Sequence, residues 1–216
     1  MSAVNIQEQM QELNLIGMIN ALETDLAIAT KQEWSHEELL LRLLQSERVY
    51  RDDKFVEKKV KLAHFKRNAF LEDFDMTAKR GVSKSQLQEL MSLNWLEVAR
   101  PLVFVGQTGM GKSYLAEALG RYACSRRKTV LFKEATELFL MISEGRRMNR
   151  YLTLRKRLAS FDILIIDDFG MRKLSSTEAQ DLKELLEIRS IAKSTFFTTQ
   201  LYIVVLPHIF KMRFWS

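Results

Sequence analysis

The sequence contains few of the residues that mark specialised classes of protein. Among its 216 residues there are one Cys, two Pro and eight Gly. A single Cys excludes an internal disulfide framework and favours a reducing compartment, and so little Pro and Gly excludes collagen-like and low-complexity chains. No apolar run reaches the roughly 18 residues that a spanning helix needs, and the polar residues 1–11 lack the pattern of a secretory signal. We therefore expect a cytoplasmic protein without a membrane partner.

What the sequence does contain is typical of a globular protein with a basic surface. Hydrophobic residues make up 47% of the chain and charged residues 28%, which suits one domain, or one domain with a small helical appendage. The 33 Lys and Arg residues exceed the 27 Asp and Glu residues, so the net charge is +6 and the pI is near 9.4. This excess is compatible with a polyanionic partner and equally with a solvated basic surface.

The first 80 residues have a helical pattern. Ser35 and Glu38 form the S-x-x-E signature of a helix start, and a leucine-rich run follows them. Between residues 42 and 80, charged residues alternate with Phe, Val and Leu, and we expect the aromatic side chains there in a core rather than stacked on bases. A second helix start, from Ser83 to Gln86, comes next.

After residue 101 the pattern changes to short apolar runs that alternate with helical segments. We expect the runs to form buried strands and the segments between them to form helices. The predicted strands cover residues 102–105, 129–132, 163–166 and 195–199, and the predicted helices cover residues 112–124, 136–143, 151–158 and 177–191. Strands that alternate with helices predict an α/β fold with a parallel sheet flanked by helices.

A glycine-rich loop with the pattern G-x-x-x-x-G-K-[ST] follows the first predicted strand directly. It predicts a phosphate-binding loop, because glycines let successive backbone N–H groups face a phosphate at the N-terminus of the next helix. Lys112 is then expected to bind the β- and γ-phosphates of ATP, and the Ser113 hydroxyl to bind Mg²⁺. The alternative is a tight turn that begins a helix. The eight residues of the loop are Gly106, Gln107, Thr108, Gly109, Met110, Gly111, Lys112 and Ser113.

Two adjacent carboxylates, Asp167 and Asp168, end the third predicted strand, where ligands bind in parallel sheets. Acids at a buried strand end cost free energy unless a cation or polar ligand meets them. We therefore expect Asp167 to bind Mg²⁺ and Asp168 to orient or deprotonate the attacking water. The fourth predicted strand also ends in polar residues, and Gln200, with Thr199 as second choice, is expected to contact the γ-phosphate or that water. Polar strand ends without a ligand are the alternative in both places.

Together these segments resemble the IstB-like ATP-binding proteins, the helper ATPases of insertion sequences, which are related to the DnaC helicase loader. The resemblance covers roughly residues 1–201. It rests on the phosphate loop, on Asp-Asp-Phe-Gly at 167–170, on Thr-Thr-Gln at 198–200, on the segment from Ser83 to Leu87 with Trp95, and on residues 114–124. It implies an AAA+ P-loop core at residues 81–201 after an N-terminal helical domain at residues 1–80.

By this resemblance, the protein assembles with ATP into an oligomer on double-stranded DNA and helps a transposase to capture its target. A replicative helicase is the alternative partner, as for a helicase loader. Adenine contacts are expected around residues 82–87. The residues that carry the family's nucleotide roles are then Lys112, Ser113, Tyr114, Asp167, Asp168 and, as the polar sensor, Gln200.

The C-terminus departs from the family pattern. After Leu201 the family continues through a polar helical region, which holds an arginine that acts in a neighbouring subunit, and then a fifth strand. Here residues 202–216 form an apolar tail instead. We therefore expect a truncated or frameshifted end that lacks the C-terminal strand and lid and leaves the first strand as a sheet edge, unless the tail covers it. Nucleotide binding is then expected to survive better than hydrolysis, and an ATP-binding interaction protein without turnover is a further alternative.

Basic residues are concentrated between residues 121 and 157. This segment holds eleven Lys and Arg residues against three Glu residues, a net charge of +8. Such a surface is expected to contact the backbone of DNA through salt-sensitive contacts that do not read sequence, with plain solvated helix faces as the alternative. In the same segment, Cys124 is expected to be a small core residue.

Overall fold

The structure is a computed structural model, and it describes residues 3–75 and 81–200. The predictions for the tail at residues 202–216 lie outside these described residues. The described part of the chain contains nine α-helices and four β-strands. None of the helices in that part is both long and apolar enough to cross a membrane. In chain order the elements are α1 (Ala3–Glu12), α2 (Ile16–Gln32), α3 (His36–Ala63), α4 (Lys84–Ser92), α5 (Asn94–Glu97), β1 (Leu102–Val105), α6 (Lys112–Ser125), β2 (Val130–Glu134), α7 (Ala135–Arg147), α8 (Tyr151–Ser160), β3 (Ile163–Phe169), α9 (Ser176–Arg189) and β4 (Ser194–Thr199).

Residues 1–58 form one compact unit, in which α2 and α3 approach each other closely at Gly17. The approach requires glycine because a Cβ at this position would lie 2.6 Å from the Cα of Glu47. The buried carboxylate of Glu47 accepts hydrogen bonds from the N–H of Met18 (3.1 Å) and from Nε of Arg51 (2.6 Å). Burial by itself raises the pKa of Glu47, but these hydrogen bonds outweigh burial and lower it below its usual value. The carboxylate therefore joins the start of α2 to the middle of α3.

A second compact unit begins at Lys59, inside α3, and its described residues are 59–75 and 81–200. The division into a helical domain at residues 1–80 and a core at residues 81–201 stays a prediction. The helical pattern also predicted helix beyond Ala63. In the structure α3 ends there, His64 has a positive φ of 58°, and residues 64–75 form no helix. That part of the predicted helical region was wrong.

Tertiary contacts explain why residues 64–75 are not helical. The carboxylate of Glu117, which is 1% exposed on α6, accepts hydrogen bonds from the N–H groups of Lys66 (2.8 Å) and Arg67 (3.0 Å). These bonds satisfy N–H groups that a helix would have used. Ala69, Leu71 and Phe74 of the segment are buried in the core of the second unit, and Phe65 packs against it. The predicted core position is therefore confirmed for Phe74 and wrong for Phe70, which is exposed.

The four strands form one parallel sheet in the order β1-β4-β3-β2. This confirms the predicted parallel sheet, and it places β4 between the strand before the phosphate loop and the strand that carries the two aspartates. Because all four strands run in the same direction, the carboxyl ends of β1, β4 and β3 lie side by side at one edge of the sheet.

Alternate strand residues pack against helices on opposite faces of the sheet, as expected of strands that are buried on both sides. One face packs against α6 and the other against α7, α8 and α9. The first face includes Phe132, Ile165 and Phe196, and the second includes Leu131, Ile166 and Phe197. Cys124 is buried in the first core, as predicted, and burial raises the pKa of its thiol to about 12. This thiol is therefore unreactive at neutral pH.

Candidate functional site

The glycine-rich loop connects the carboxyl end of β1 to the first turn of α6. The N–H of Gly106 donates to the carbonyl of Thr199 (3.2 Å), so the loop starts beside the end of β4. Gly109 and Gly111 have φ values of +83° and +84°, a backbone conformation that side chains with a Cβ rarely adopt. Gln107, Thr108, Gly109 and Met110 at the tip of the loop are exposed. The local geometry is thus that of an open backbone loop at the N-terminus of a helix.

The first turn of α6 carries the two side chains predicted to bind phosphate and magnesium. Lys112 and Ser113 are half-buried there, and Nζ of Lys112 donates to the carbonyl of Gln107 (2.9 Å) within the loop. The hydroxyl of the next residue, Tyr114, contacts the N–H and the carbonyl of Phe70 (3.3 and 3.2 Å). Its ring stacks on Phe74. Tyr114 therefore ties α6 to residues 64–75, and a contact of Tyr114 with nucleotide stays a prediction.

Asp167 and Asp168 lie at the carboxyl end of β3, where the pairing with β4 shifts register between Ile166 and Phe169. Asp167 is 4% exposed, and its Oδ1 accepts a hydrogen bond from the hydroxyl of Thr198 on β4. Asp168 is exposed and has a φ of +52°. Its N–H donates to the same hydroxyl (3.0 Å). One threonine thus contacts both aspartates.

Both acidic and basic neighbours influence the pKa of Asp168. Partial burial, followed by the neighbouring charges of Asp167 and Glu134, raises the pKa of Asp168 above its usual value, while the ammonium groups of Lys112 and Lys66 oppose the rise. A carboxylate with a raised pKa holds a proton more readily, which suits a group that accepts one from water.

Lys66 is a second lysine at this edge of the sheet, which the sequence analysis did not single out. Its ammonium forms an ion pair with Glu134 at the end of β2 and lies 4.0 Å from the carboxylate of Glu137. The hydrogen bond to Glu134 raises the pKa of Lys66, and the charge of Asp167 adds to the rise. The sequence offered no signal for this contact, because Lys66 and Glu134 are 68 positions apart and only the fold brings them together.

The residues present fit a nucleoside triphosphate with Mg²⁺. Among the described residues, no side chain caps the N-terminus of α6, and its first turn holds no acidic residue, so its N–H groups are available to an anion. The described residues contain no group of three or more His, Cys, Asp or Glu that could hold a metal ion by themselves. Mg²⁺ in nucleotide sites takes one or two carboxylates together with phosphate oxygens and water. Asp167 and the Ser113 hydroxyl suit that arrangement.

The polar residues that end β4 make different contacts. The hydroxyl of Thr199 donates to the carbonyl of Phe169 (2.7 Å), and Nε2 of Gln200 donates to Sδ of Met171 (3.4 Å). The role predicted for Gln200 stays a prediction. Thr198, which contacts both aspartates, was missed, because three consecutive polar residues give no sign of which one meets β3.

Part of the basic segment at residues 121–157 is used inside the fold. Arg146 forms an ion pair with the buried Asp181, and Arg155 forms one with Glu184. Other basic side chains of the segment are exposed at the end of α7, in the turn after it and on α8: Arg147, Arg150, Lys156 and Arg157.

Comparison with known proteins agrees with the geometry. The family described as IstB-like ATP binding protein matches residues 8–211. An insertion-sequence ATP-binding protein of Sinorhizobium fredii is 31% identical over 194 residues, which cover 90% of this chain and 79% of the relative. A second such protein, from Pseudomonas fluorescens, is 32% identical over 194 residues and covers 89% of this chain and 84% of the relative.

Solved structures with a similar fold include AMPPCP-bound DnaA from Aquifex aeolicus and DnaI. The DnaA structure has a TM-score of 0.60 at 18% identity, and the match covers 66% of this chain and 45% of that one. The DnaI structure has a TM-score of 0.53 at 20% identity, with 65% and 77% covered. The present chain therefore spans less than half the length of that DnaA chain. These likenesses identify the fold as that of an AAA+ P-loop NTPase.

Proposed function

Because the chain belongs to the family of IstB-like ATP-binding proteins, we propose that it is an ATPase that assembles on double-stranded DNA and assists a transposase in capturing its target. The proposal assigns ATP hydrolysis to the core at residues 81–201. It assigns the protein to the cytoplasm, where DNA and ATP are both available.

One observation supports the proposal most strongly. The glycine-rich loop after β1 and the aspartates at the end of β3 flank the end of β4, to which both are hydrogen-bonded: Gly106 through the carbonyl of Thr199, and Asp168 through the hydroxyl of Thr198. A triphosphate bound by the loop therefore extends toward the aspartates. A tight turn that only begins a helix would not need two carboxylates at the same edge.

In the proposed site, the chain binds the phosphates through backbone N–H groups of the loop and through the ammonium of Lys112. The ammonium of Lys112 already lies at the loop, where it donates to the carbonyl of Gln107 (2.9 Å). Asp167 and Ser113 would hold Mg²⁺. When bound, this ion neutralises charge on the phosphate oxygens. The charge of the buried Asp167 is thereby compensated.

Asp168 is the proposed general base. Its carboxylate is exposed at the edge of the sheet, and its raised pKa lets it accept the proton of a water molecule that attacks the γ-phosphate. The new bond joins the water oxygen to the γ-phosphorus, and the bond between that phosphorus and the bridging oxygen breaks, which leaves ADP and inorganic phosphate. Gln200, directly after β4, is retained in the proposal as the polar sensor.

The basic surface of α7 and α8 is the proposed contact for the DNA backbone. Arg147, Arg150, Lys156 and Arg157 are exposed on neighbouring parts of one segment and can neutralise successive phosphates. No base-reading motif is present in the sequence, so the contact is expected to depend on salt and little on sequence. Self-association of the chain would extend this surface along the duplex.

The test is ATP hydrolysis by the purified full chain with and without duplex DNA, beside the Lys112→Ala variant and the Arg147→Ala, Arg150→Ala double variant. We expect turnover that DNA stimulates, no turnover for Lys112→Ala, and a double variant whose basal turnover is retained. For the double variant, the slope of log affinity for DNA against log salt concentration should be smaller in magnitude by up to about 2.

Other outcomes would contradict the proposal in distinguishable ways. ATP binding without any turnover would identify a nucleotide-dependent interaction protein instead. Capture of a replicative helicase through residues 1–80, with no effect of a transposase on turnover, would identify a helicase loader. If duplex DNA does not change the rate of ATP hydrolysis at low salt, only the proposed role of DNA is contradicted, and the proposed ATPase activity stands.

A further inference from the structure

Thr198 is the residue of β4 that contacts both aspartates. Its side chain is fully buried, its hydroxyl donates to Oδ1 of Asp167, and the N–H of Asp168 donates to the same hydroxyl oxygen (3.0 Å). The neighbouring Thr199 uses its hydroxyl on a backbone carbonyl, and Gln200 uses its amide on a methionine sulfur. Thr198 therefore contacts two aspartates through one hydroxyl.

The backbone of β3 explains why the contact involves two residues. The register between β3 and β4 shifts between Ile166 and Phe169, and Asp168 takes a left-handed conformation with a φ of +52°. This local bulge frees the N–H of Asp168 from the ladder and turns it toward the hydroxyl of Thr198. A left-handed aspartate costs free energy unless its surroundings hold it in place. The hydroxyl of Thr198 holds Asp168 in this conformation by accepting the hydrogen bond from its N–H.

The same hydroxyl also limits the orientation of Asp167. A hydroxyl has one hydrogen to donate, and Thr198 gives it to Oδ1 of Asp167. With Oδ1 held, the carboxylate cannot rotate freely about its last bond, and Oδ2 is the oxygen that we assign to a cation. Partners that orient a ligating carboxylate in this way strengthen metal binding although they do not touch the metal.

We propose that Thr198 is a positioning residue that orients Asp167 for Mg²⁺ and holds the bulge that presents Asp168. This inference rests on the proposed function, because it concerns the same nucleotide site. It assigns to Thr198 a role distinct from the sensor role proposed for Gln200.

The experiment compares three variants of the full chain. Thr198→Val keeps the shape of the side chain and removes the hydroxyl, and Thr198→Ser keeps the hydroxyl and removes the methyl group. Thr195→Val is the matched control, because it removes another buried hydroxyl of the same strand, one that accepts from Nε of Arg189 (2.9 Å) rather than contacting an aspartate. The measured quantity is binding of a fluorescent ATP analogue as a function of Mg²⁺ concentration, with binding in EDTA as the reference.

We expect Thr198→Val to need about 10- to 100-fold more Mg²⁺ for half-maximal binding, with its affinity in EDTA unchanged. Thr198→Ser should restore most of the wild-type Mg²⁺ requirement. Thr195→Val should unfold at a lower temperature but keep the wild-type Mg²⁺ requirement. If Thr198→Val does not fold, Thr198→Ala replaces it, with the same shift expected.

Two results would overturn the inference while leaving the proposed function intact. One is a wild-type Mg²⁺ requirement in the variant without the hydroxyl, and the other is an equal shift in Thr195→Val, which would indicate general damage to the strand. Failure of the wild-type chain to bind nucleotide at all would instead refute the proposed function, and this inference with it.

Discussion

Asp167 and Asp168 are consecutive in sequence, but only Asp167 is buried, because the left-handed backbone of Asp168 turns its carboxylate toward solvent. Two adjacent acids thereby acquire different environments. The carboxylate of Asp167 is hydrogen-bonded to a threonine. For Asp168, partial desolvation and the charges of Asp167 and Glu134 raise the pKa against the opposing charges of two lysines. This difference underlies the assignment of one acid to the magnesium ion and the other to the attacking water.

Replacing Asp168 should impair ATP hydrolysis without impairing nucleotide binding. Asp168→Asn should lower ATP turnover about 10²- to 10⁴-fold, because the amide cannot accept the proton of the attacking water. Nucleotide affinity should be retained, since the loop and Asp167 are unchanged and asparagine tolerates the left-handed backbone. Steady-state hydrolysis and equilibrium nucleotide binding would be measured on the same preparation. The control is Asp73→Asn, because Asp73 is an exposed acid outside the site. If Asp168→Asn hydrolyses ATP at the rate of this control, the assignment of Asp168 as the general base is contradicted.

Arg189 is predicted to be essential for stability and not for chemistry. Its guanidinium is 1% exposed and donates to the carbonyls of Leu158 (2.9 Å), Phe161 (2.9 Å) and Ser194. Arg189→Met removes these buried charge-assisted hydrogen bonds, so we expect the free energy of unfolding to fall by about 3–5 kcal/mol.

Urea unfolding would measure this loss, with Arg157→Met as the control. Arg157 is an exposed arginine of α8, and its replacement should change the free energy of unfolding by about 0.5 kcal/mol or less. Equal effects of the two substitutions would show that the buried guanidinium does not stabilise the fold as described.

Glu178 should make stability depend on pH. Hydrogen bonds lower the pKa of Glu178 to about 2. Those from Arg172 have the largest effect, and those from Ser175 at the start of α9 add to it. A carboxylate whose pKa is lower in the folded state stabilises the fold above its unfolded pKa of about 4.3, and this contribution is lost as pH falls toward the folded value.

Glu178→Gln keeps the shape of the cap and removes the charge. We expect the variant to be about 1 kcal/mol less stable than wild type at pH 7. The difference should shrink between pH 4.3 and pH 2. Urea midpoints measured across that range test this, and a difference that stays constant with pH would argue against the charged cap.

Much of the core could be predicted because its signals are local. The apolar runs gave the four strands to within three residues at each end, and the loop after β1 follows from its glycine spacing. The capping boxes read at Ser35–Glu38 and Ser83–Gln86 are both present, with their reciprocal hydrogen bonds formed. The box at Ser175–Glu178 has the same pattern and was overlooked.

The remaining features depend on contacts between distant parts of the chain. Residues 64–75 follow a helical pattern in charge and hydrophobicity, but Glu117, some 50 positions later, takes up their N–H groups. The bulge at Asp168 and its contact with Thr198 are set by the pairing of β3 with β4. Local propensity cannot report such pairings, because they form only when the sheet does.

The most direct test of the central claim is titration of the folded chain with ATP and Mg²⁺, beside Lys112→Ala and the control Lys183→Ala, an exposed lysine of α9. The account predicts saturable binding to wild type and to the control. It predicts binding about 10- to 100-fold weaker for Lys112→Ala, because an ammonium–phosphate hydrogen bond is lost. A folded wild-type chain that does not bind ATP, or a Lys112→Ala variant that binds as tightly as wild type, would contradict it.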